Sequence, residues 1–483
     1  MSPTGSARRS TTPMMAALGL STFTVSIAAT TVSPALSVIQ RQFDVTASDT
    51  AWLVTAYFLV ASTATPVLSR LGDMRGKRTM LLAAIMAFVV GSVVCAVAPS
   101  LAVEILGRAL QGLAAAVFPL AYGITRDELE SARVPGAIGF LAATPAVGGA
   151  LGLPLGGTIA EHASIAAIFW VQTGLGLVAL LAVWRLVPDA GERVPARVDL
   201  RGALVFSIGF GLPLLGISRA NVWGWGSATT LACFAIGLLI LVAWVRLELA
   251  TEQPLVNIHT LRRRAVLLTN LTTIVAGFGL FGSFILLPQL AQIPKSTGFG
   301  LGLSASAAGL LLVPNAIVNA MTSSQAGRVM TRWGSRTPLL VGCCIAASAF
   351  TLLAAAHGSA ILLVLWSMLL AVGVGLSYPA MPTLILEAVS RHETSEASGV
   401  NTIMRNAGAA AGSAVAGSVL AAHATGSGTP SDAGFTMAFA IAAAVSILSV
   451  LIGLWIPVRG RAAFAGIVDS TAREAADTPG TRL

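Results

Sequence analysis

The stretch LGRALQGLAAA, residues 106–116, places Arg108 in the middle of a run that is otherwise almost entirely apolar and small. A guanidinium facing lipid costs several kcal/mol, roughly 2.5–3.5 on insertion scales. A charge in this position therefore has to be covered by protein or by water. Which of the two covers it bears directly on what the chain does.

The run is one of many. Of the 483 residues, 55% are hydrophobic and only 10% charged, with a mean hydropathy of +0.83. Soluble chains carry about 25% charged residues. Apolar runs long enough to cross roughly 30 Å of hydrocarbon recur along the whole length. They are continuous and do not alternate apolar-out and polar-in, which excludes a membrane β-barrel. The reading is an all-α polytopic membrane protein with fourteen candidate transmembrane helices between residues 13 and 457. Its expected layout is a cytoplasmic tail over 1–12, a six-helix bundle over 13–187 and a linker with two extra helices over 188–264. A second six-helix bundle over 265–457 and a disordered cytoplasmic tail over 458–483 complete it. Arg8 and Arg9 before an apolar stretch superficially resemble a signal peptide. That stretch continues to about Ile39, too long for a signal core, so an uncleaved first span is expected.

A net charge of +9 and a pI near 10.4 would suit a nucleic-acid binder if the bases formed one face. They lie instead in short loops between spans, with no basic face interleaved with aromatics. Of the 29 lysines and arginines, all but five fall on one side when the chain is threaded with its N-terminus inside. Arg41, Arg219 and Lys295 fall on the other side, and Arg108 and Arg405 within spans. The positive-inside rule then puts both termini in the cytoplasm and the chain in the cytoplasmic membrane. Cys95, Cys233, Cys343 and Cys344 lie inside spans and read as small packing residues. His162, His259, His357, His392 and His423 sit near span ends or in loops without ligand spacing, so no metal or other cofactor is expected.

An internal repeat is visible. Residues 69–78 read SRLGDMRGKR and residues 327–336 read GRVMTRWGSR. GLAAAVFP at 112–119 and VGVGLSYP at 372–379 both end on proline. An offset near 260 residues implies two six-helix halves with the seventh and eighth spans inserted between them, a construction that places a binding site at the repeat interface. Gly277, Gly279 and Gly282 formally match a dinucleotide fingerprint but lie within an apolar helix with no preceding strand, so that match is rejected. The sequence contains no P-loop, HExxH or GxSxG pattern, which removes in-chain ATP hydrolysis as a drive and leaves no constellation for an enzyme.

Three motifs carry a resemblance. Leu71, Gly72, Asp73, Met74, Arg75, Gly76, Lys77 and Arg78 form a two-glycine turn with one acid and three bases. Arg108, Gln111 and Gly112 follow in the fourth span. Gly139, Gly148, Gly152, Pro154, Gly156 and Gly157 follow in the fifth, with Gly148, Gly152 and Gly156 spaced to let another helix approach closely. Gly408 and Gly412 repeat that spacing in the thirteenth span. With these motifs in this order, the chain resembles the major facilitator superfamily, in particular its fourteen-span drug:proton antiporter branch, over nearly its whole length.

The resemblance implies a cytoplasmic gate made by Asp73, Arg75, Gly76, Lys77 and Arg78, with Asp73 facing the helix start near Glu396. Met74 stands where the family usually has arginine, and Thr331 replaces the acid in the second copy, so that copy should form a weaker gate. Leu153 separates the glycine and proline that the exporter motif joins. Arg108 should face the aqueous interior between the halves. Glu104, four residues earlier, either pairs with it as a structural salt bridge or takes up the coupling proton. The acid that the family carries in span one is Ala28 here. Glu104, Arg108, Gln111 and Arg405 form the expected central polar group. Trp52, Tyr57, Asn270, Phe278, Phe281, Phe284, Gln289, Asn315, Asn319, Tyr378 and Asn401 are cavity candidates if the family's helices surround it. Each polar one serves equally as a helix–helix hydrogen bond, and the phenylalanines as lipid-facing packing.

The expected function is export of a small amphipathic or hydrophobic molecule, a drug, antibiotic or metabolite, by alternating access with proton antiport. Basic residues at depth without matching acids favour anionic or neutral substrates. Expected partners are the substrate, protons and the lipid bilayer, with no nucleic acid, and the monomer is the working unit. The eroded second gate and missing acid leave open a non-transporting sensor or scaffold that kept the fold.

Overall fold

The computed structural model describes residues 11–457 except 33–34, 46, 190–198, 253, 255, 391–392 and 425–428. The expected tail 458–483, most of the tail 1–12, and Arg193, Arg197, Arg391 and His392 lie outside the described residues, as do the side chains of Arg41, Phe281 and Phe284. Among the described residues there is no β-strand, and every regular element is a helix. The first part comprises α1 (Thr11–Thr31), the short α2 (Leu36–Phe43), α3 (Ala47–Arg75) and α4 (Lys77–Ala96). Then α5 (Leu101–Gly112) and α6 (Val117–Glu128) run on through a 3-10 turn at Leu113–Ala116, followed by α7 (Val134–His162) and α8 (Ile165–Leu186). A pair, α9 (Leu200–Trp223) and α10 (Ala228–Ala250), and the short α11 (Ile258–Arg262) lead to the second part. That part holds α12 (Arg264–Gln292), α13 (Ala305–Leu311), α14 (Val313–Trp333), α15 (Arg336–Ala355), α16 (Ala360–Ala388), α17 (Thr394–Ala422) and α18 (Asp432–Gly453).

Eleven helical segments are long and apolar enough to cross a membrane, which makes this a multi-pass membrane protein. Of the other long helices, α9 and α12 contain the apolar stretches Arg201–Ile217 and Arg264–Gly279, and α17 carries fewer apolar residues. For α17 the reason is visible: it buries Ser398, Asn401, Thr402, Arg405, Gly408 and Gly412 against protein, so its sequence is not selected for contact with lipid. At the opposite extreme, α10 exposes Leu238, Leu239, Val242 and Leu249.

Helices α1 and α3 to α8 pack on one another, as do α12 to α18. In the first group Leu18, Leu81, Phe88, Leu120 and Ile138 are fully or almost fully buried; in the second, Leu290, Phe350, Leu363, Phe435 and Phe439 are. Two seams join the groups. At one, α7 lies on α14, where a methyl on Gly139 would stand 2.5 Å from the Ser323 carbonyl. At the other, α3 lies on α17, and the α9/α10 pair packs over this crossing. Phe206 and Trp244 of that pair share a buried cluster with Val400 and Ile403 of α17.

The repeat in sequence is a repeat in space. Gly76, at φ 109°, breaks α3 from α4, and Gly334, at φ 79°, breaks α14 from α15; side-chain-bearing residues rarely take either angle. The arginine that follows each turn then closes a helix end: Arg78 donates to the Trp184 carbonyl at 2.6 Å, and Arg336 to the Gly453 carbonyl at 3.2 Å. Gly148 and Gly152 of α7 press on Ile27 of α1, and Gly408 and Gly412 of α17 press on the Ile274 and Phe278 carbonyls of α12. These are corresponding positions in the two halves, and both crossings need the missing side chain.

Replacing Gly412 with valine should therefore drive its side chain into the Phe278 carbonyl and cost about 1–3 kcal/mol. Thermal unfolding of the purified protein should show a clear drop in midpoint. Gly174→Ala, where an added carbon meets nothing within 4 Å, should hold or raise it. Equal midpoints for the two variants would mean that α12 and α17 do not cross tightly.

Candidate functional site

Arg108 is enclosed by protein. It is completely inaccessible, and its guanidinium is held by acceptors from three helices. Nη1 donates to the Ala28 carbonyl of α1 at 3.3 Å and to Gln111 Oε1 at 2.7 Å; Nε donates to the Leu53 carbonyl of α3 at 3.3 Å. The Tyr57 ring lies 4.5 Å beneath the guanidinium carbon. Gln111 Nε2 continues the network to Ser92 Oγ and Gln172 Oε1, both at 2.8 Å, and Gln172 Nε2 reaches Thr31 Oγ1 at 2.7 Å. The network thus ties α1, α3, α4, α5 and α8 together.

Two expectations change here. Arg108 does not face an aqueous interior between the halves, because its acceptors lie within the first bundle and leave it no accessible surface. Of the two readings of Glu104, the salt bridge to Arg108 is also not formed. Arg108 turns towards the carbonyls, and Glu104, although buried, keeps Oε1 without a hydrogen-bond partner. The position lacking the family's acid, Ala28, contributes through its backbone oxygen, which any residue type could supply.

A second constellation closes one end of the molecule. Asp73 Oδ2 accepts from the backbone N–H of Glu396 at 3.1 Å, in the first turn of α17. Lys77 Nζ lies 3.4 Å from Asp73 Oδ1 and 2.6 Å from Asp127 Oδ2. Arg70 Nη1 meets Glu396 Oε2 at 2.9 Å. From α6, Arg126 donates to Thr394 Oγ1 at 2.6 Å, to the Val389 carbonyl at 3.0 Å and to the Ser390 carbonyl at 3.3 Å. The segment ahead of α12 joins in: Asn257 N–H donates to Glu396 Oε1, and Thr260 Oγ1 to Glu393 Oε1, each at 2.7 Å. Burial alone would raise the Glu393 carboxyl. Hydrogen bonds from Thr260 and Ser390, with the Arg263 charge, outweigh it and hold Glu393 below the usual carboxylate range.

Of the residues expected here, Asp73 makes the cross-bundle tie and Lys77 supports it from within the first bundle. Gly76 makes the turn, Arg78 caps α8, and Arg75 is exposed. The sequence reading missed Arg70, Arg126, Asp127, Asn257, Thr260, Arg263 and Glu393. For the charged ones the only sequence signal was a charge at a helix end on the basic side; Asn257 and Thr260 offered none. In the second copy Thr331 Oγ1 bonds back to the Arg328 carbonyl of its own helix, with no cross-bundle bond from its side chain among the described residues.

The remaining candidates are dispersed. Asn401 Nδ2 donates to Asn270 Oδ1 and Thr273 Oγ1, both at 2.9 Å. Asn319 accepts from Ser323, Asn315 donates to the Ser367 carbonyl, Phe278 is half-buried and Gln289 is exposed. Trp52 lies under Arg219, at 4.3 Å, and Tyr378 under Arg405, at 4.6 Å. Arg219, expected at the outer end of the seventh span, is buried within α9, which runs on to Trp223.

The Arg108 network predicts an order of tolerance. Arg108→Met replaces a buried charge by an apolar chain of similar length, which interiors often accept. Arg108→Lys keeps the charge but cannot span the same acceptors, and should lose about 3 kcal/mol. Thermal unfolding should rank methionine above lysine; the reverse order would mean that the charge itself, and not its fork of donors, is what the bundle requires.

These features can be set beside known proteins. The family model of the Major Facilitator Superfamily matches residues 18–293 and 269–472. The "Multidrug resistance protein Stp" of Mycobacterium tuberculosis is 29% identical over 413 residues, 84% of this chain and 75% of that protein. The "Tetracenomycin C resistance and export protein" of Streptomyces glaucescens is 25% identical over 416 residues, 85% of this chain and 76% of its own. Among solved structures, the human organic anion transporter MFSD10 (TETRAN) superposes with a TM-score of 0.65 at 17% identity, over 93% of this chain and all 100% of that one. The proton:xylose symporter XylE gives 0.63 at 13% identity, over 92% and 96%. Two helical groups related by an internal repeat, tied at one end through Asp73, agree with that match over most of the length: the chain belongs to the Major Facilitator Superfamily.

Proposed function

We propose that this protein exports small amphipathic or hydrophobic molecules, drugs or antibiotics among them, across the cytoplasmic membrane by alternating access. The observation that carries the reading is the set of cross-bundle bonds at the charged end, centred on Asp73 and the first turn of α17. They hold two packed groups together by contacts that can be broken without unfolding either. Relatives that are named for multidrug resistance and for antibiotic export support the substrate class. In this reading all fourteen long helices cross the bilayer, 13–187 and 265–457 are the moving bundles, and 188–264 is an insert. The charged end is the cytoplasmic gate, both termini are cytoplasmic, and the monomer transports without catalysing a reaction.

Proton antiport is the proposed drive. Glu104 supports it: the carboxyl is buried in α5, one turn from Arg108, and its Oε1 has no hydrogen-bond partner. In everted vesicles, an imposed inside-acid gradient should accelerate uptake of a neutral or anionic fluorescent dye. Glu104→Gln should abolish that acceleration but leave substrate exchange intact. Unchanged acceleration in the variant would remove Glu104 as the proton site, and no wild-type uptake of any compound would remove the export reading.

A further inference from the structure

Two deep guanidiniums differ in their surroundings, although Arg108 Nη2 is itself left without a partner. Arg108 has three hydrogen-bond acceptors, whereas Arg405, near the middle of α17, has a stacked Tyr378 ring and, among the described residues, neither a hydrogen-bond acceptor nor a carboxylate partner. Yet Arg405 is only 4% exposed. It borders a cavity of about 30 Å³, room for little more than a water, together with Tyr378, Ser377, Met381, Phe350 and Leu370 of the second bundle, and no aspartate or glutamate lines that cavity. A long side chain on a helix leans towards the helix N-terminus. For Arg405 that direction leads to the charged end, where α6 lies across from α17. There Tyr122 of α6 is fully enclosed, its hydroxyl has no hydrogen-bond partner, and Arg405 and Tyr378 lie within its electrostatic reach.

We propose that Arg405, Tyr378 and Tyr122 recognise an anionic group, a carboxylate or phenolate, on an otherwise apolar transported molecule. The proposal rests on the export reading and names the substrate class for it. The chemistry is complementary. A guanidinium forks to two oxygens of a carboxylate and a phenol donates to the same anion, while Phe350, Leu370 and Met381 line the adjoining space, which has to widen as the bundles part before it admits the hydrocarbon part. A lipophilic cation would meet the Arg405 charge with no acid to offset it. The geometry also links binding to movement. Tyr122 and Arg405 stand on different bundles, so an anion bridging them is held best while the bundles are together at the charged end, and is released from one as they part.

The test uses the full-length protein, purified in detergent, and three probes of similar apolar character: 2-naphthoate, its neutral amide and tetraphenylphosphonium. Equilibrium binding should favour the carboxylate over the amide by about tenfold, the span of one charge-assisted hydrogen-bond pair. Arg405→Gln should remove that preference and Arg405→Lys should retain part of it. Tyr122→Phe, which deletes one oxygen from an enclosed ring, should weaken carboxylate binding about fivefold without changing amide binding. Equal affinity for the three probes, no carboxylate binding, or a preference unchanged in both Arg405→Gln and Tyr122→Phe would overturn the proposal. Flux of the same probes in everted vesicles separates it from the reading it rests on. Carboxylate binding without flux of any probe would remove export and keep the anion site. Flux of the cation alone, independent of Arg405, would keep export and remove the site.

Discussion

The guanidinium of Arg108 sits where no water reaches, and α1, α3 and α5 are held in register by having to supply its acceptors. Leaving such a charge unpaired costs on the order of 3–5 kcal/mol, comparable to the whole margin of many folds. The network through Gln111, Gln172 and Thr31 extends that constraint to α4 and α8. The first bundle therefore has a rigid centre. Glycine crossings do the same work by contact: Gly148 and Gly152 on α1, and Gly408 and Gly412 on α12, bring backbones too close to slide. Rigid halves are what alternating access needs, because motion is then confined to the surfaces between them.

Those surfaces are bonded differently. At the charged end the two groups meet through Asp73, Arg70 and Arg126 of one and the start of α17 of the other. Each such bond contributes about 1–3 kcal/mol, and several act together. That is enough to favour one closed arrangement, and small enough for ligand binding or a proton to reverse it. The segment before α12 adds Asn257 and Thr260 to the same end, so the connection that carries α9 and α10 also reports on whether it is closed.

Some of this was legible in the sequence because it is written in residue type and spacing. The glycine pairs at matching offsets and the turn at Gly76 follow from local pattern, and the place of Asp73 opposite α17 from the resemblance those motifs carry. The partners of Arg108 were not legible: two are backbone carbonyls, which no side chain advertises, and the nearby Glu104 suggested a pairing the geometry does not make. Arg126, Asn257 and Glu393 were missed because their bonds join segments far apart in the chain. Tyr122 reads as an ordinary aromatic in an apolar helix until the fold sets it against Arg405.

The central claim is that two rigid bundles are held shut at the charged end by releasable bonds. The most direct test is a distance measurement by pulsed electron spin resonance, with labels at the exposed positions of Arg75 and Trp333 in otherwise cysteine-free protein. The account predicts a narrow, short distribution that gains a longer component when Asp73→Asn and Arg126→Gln are combined, with thermal stability of the bundles retained. An identical distribution with and without those bonds would contradict it.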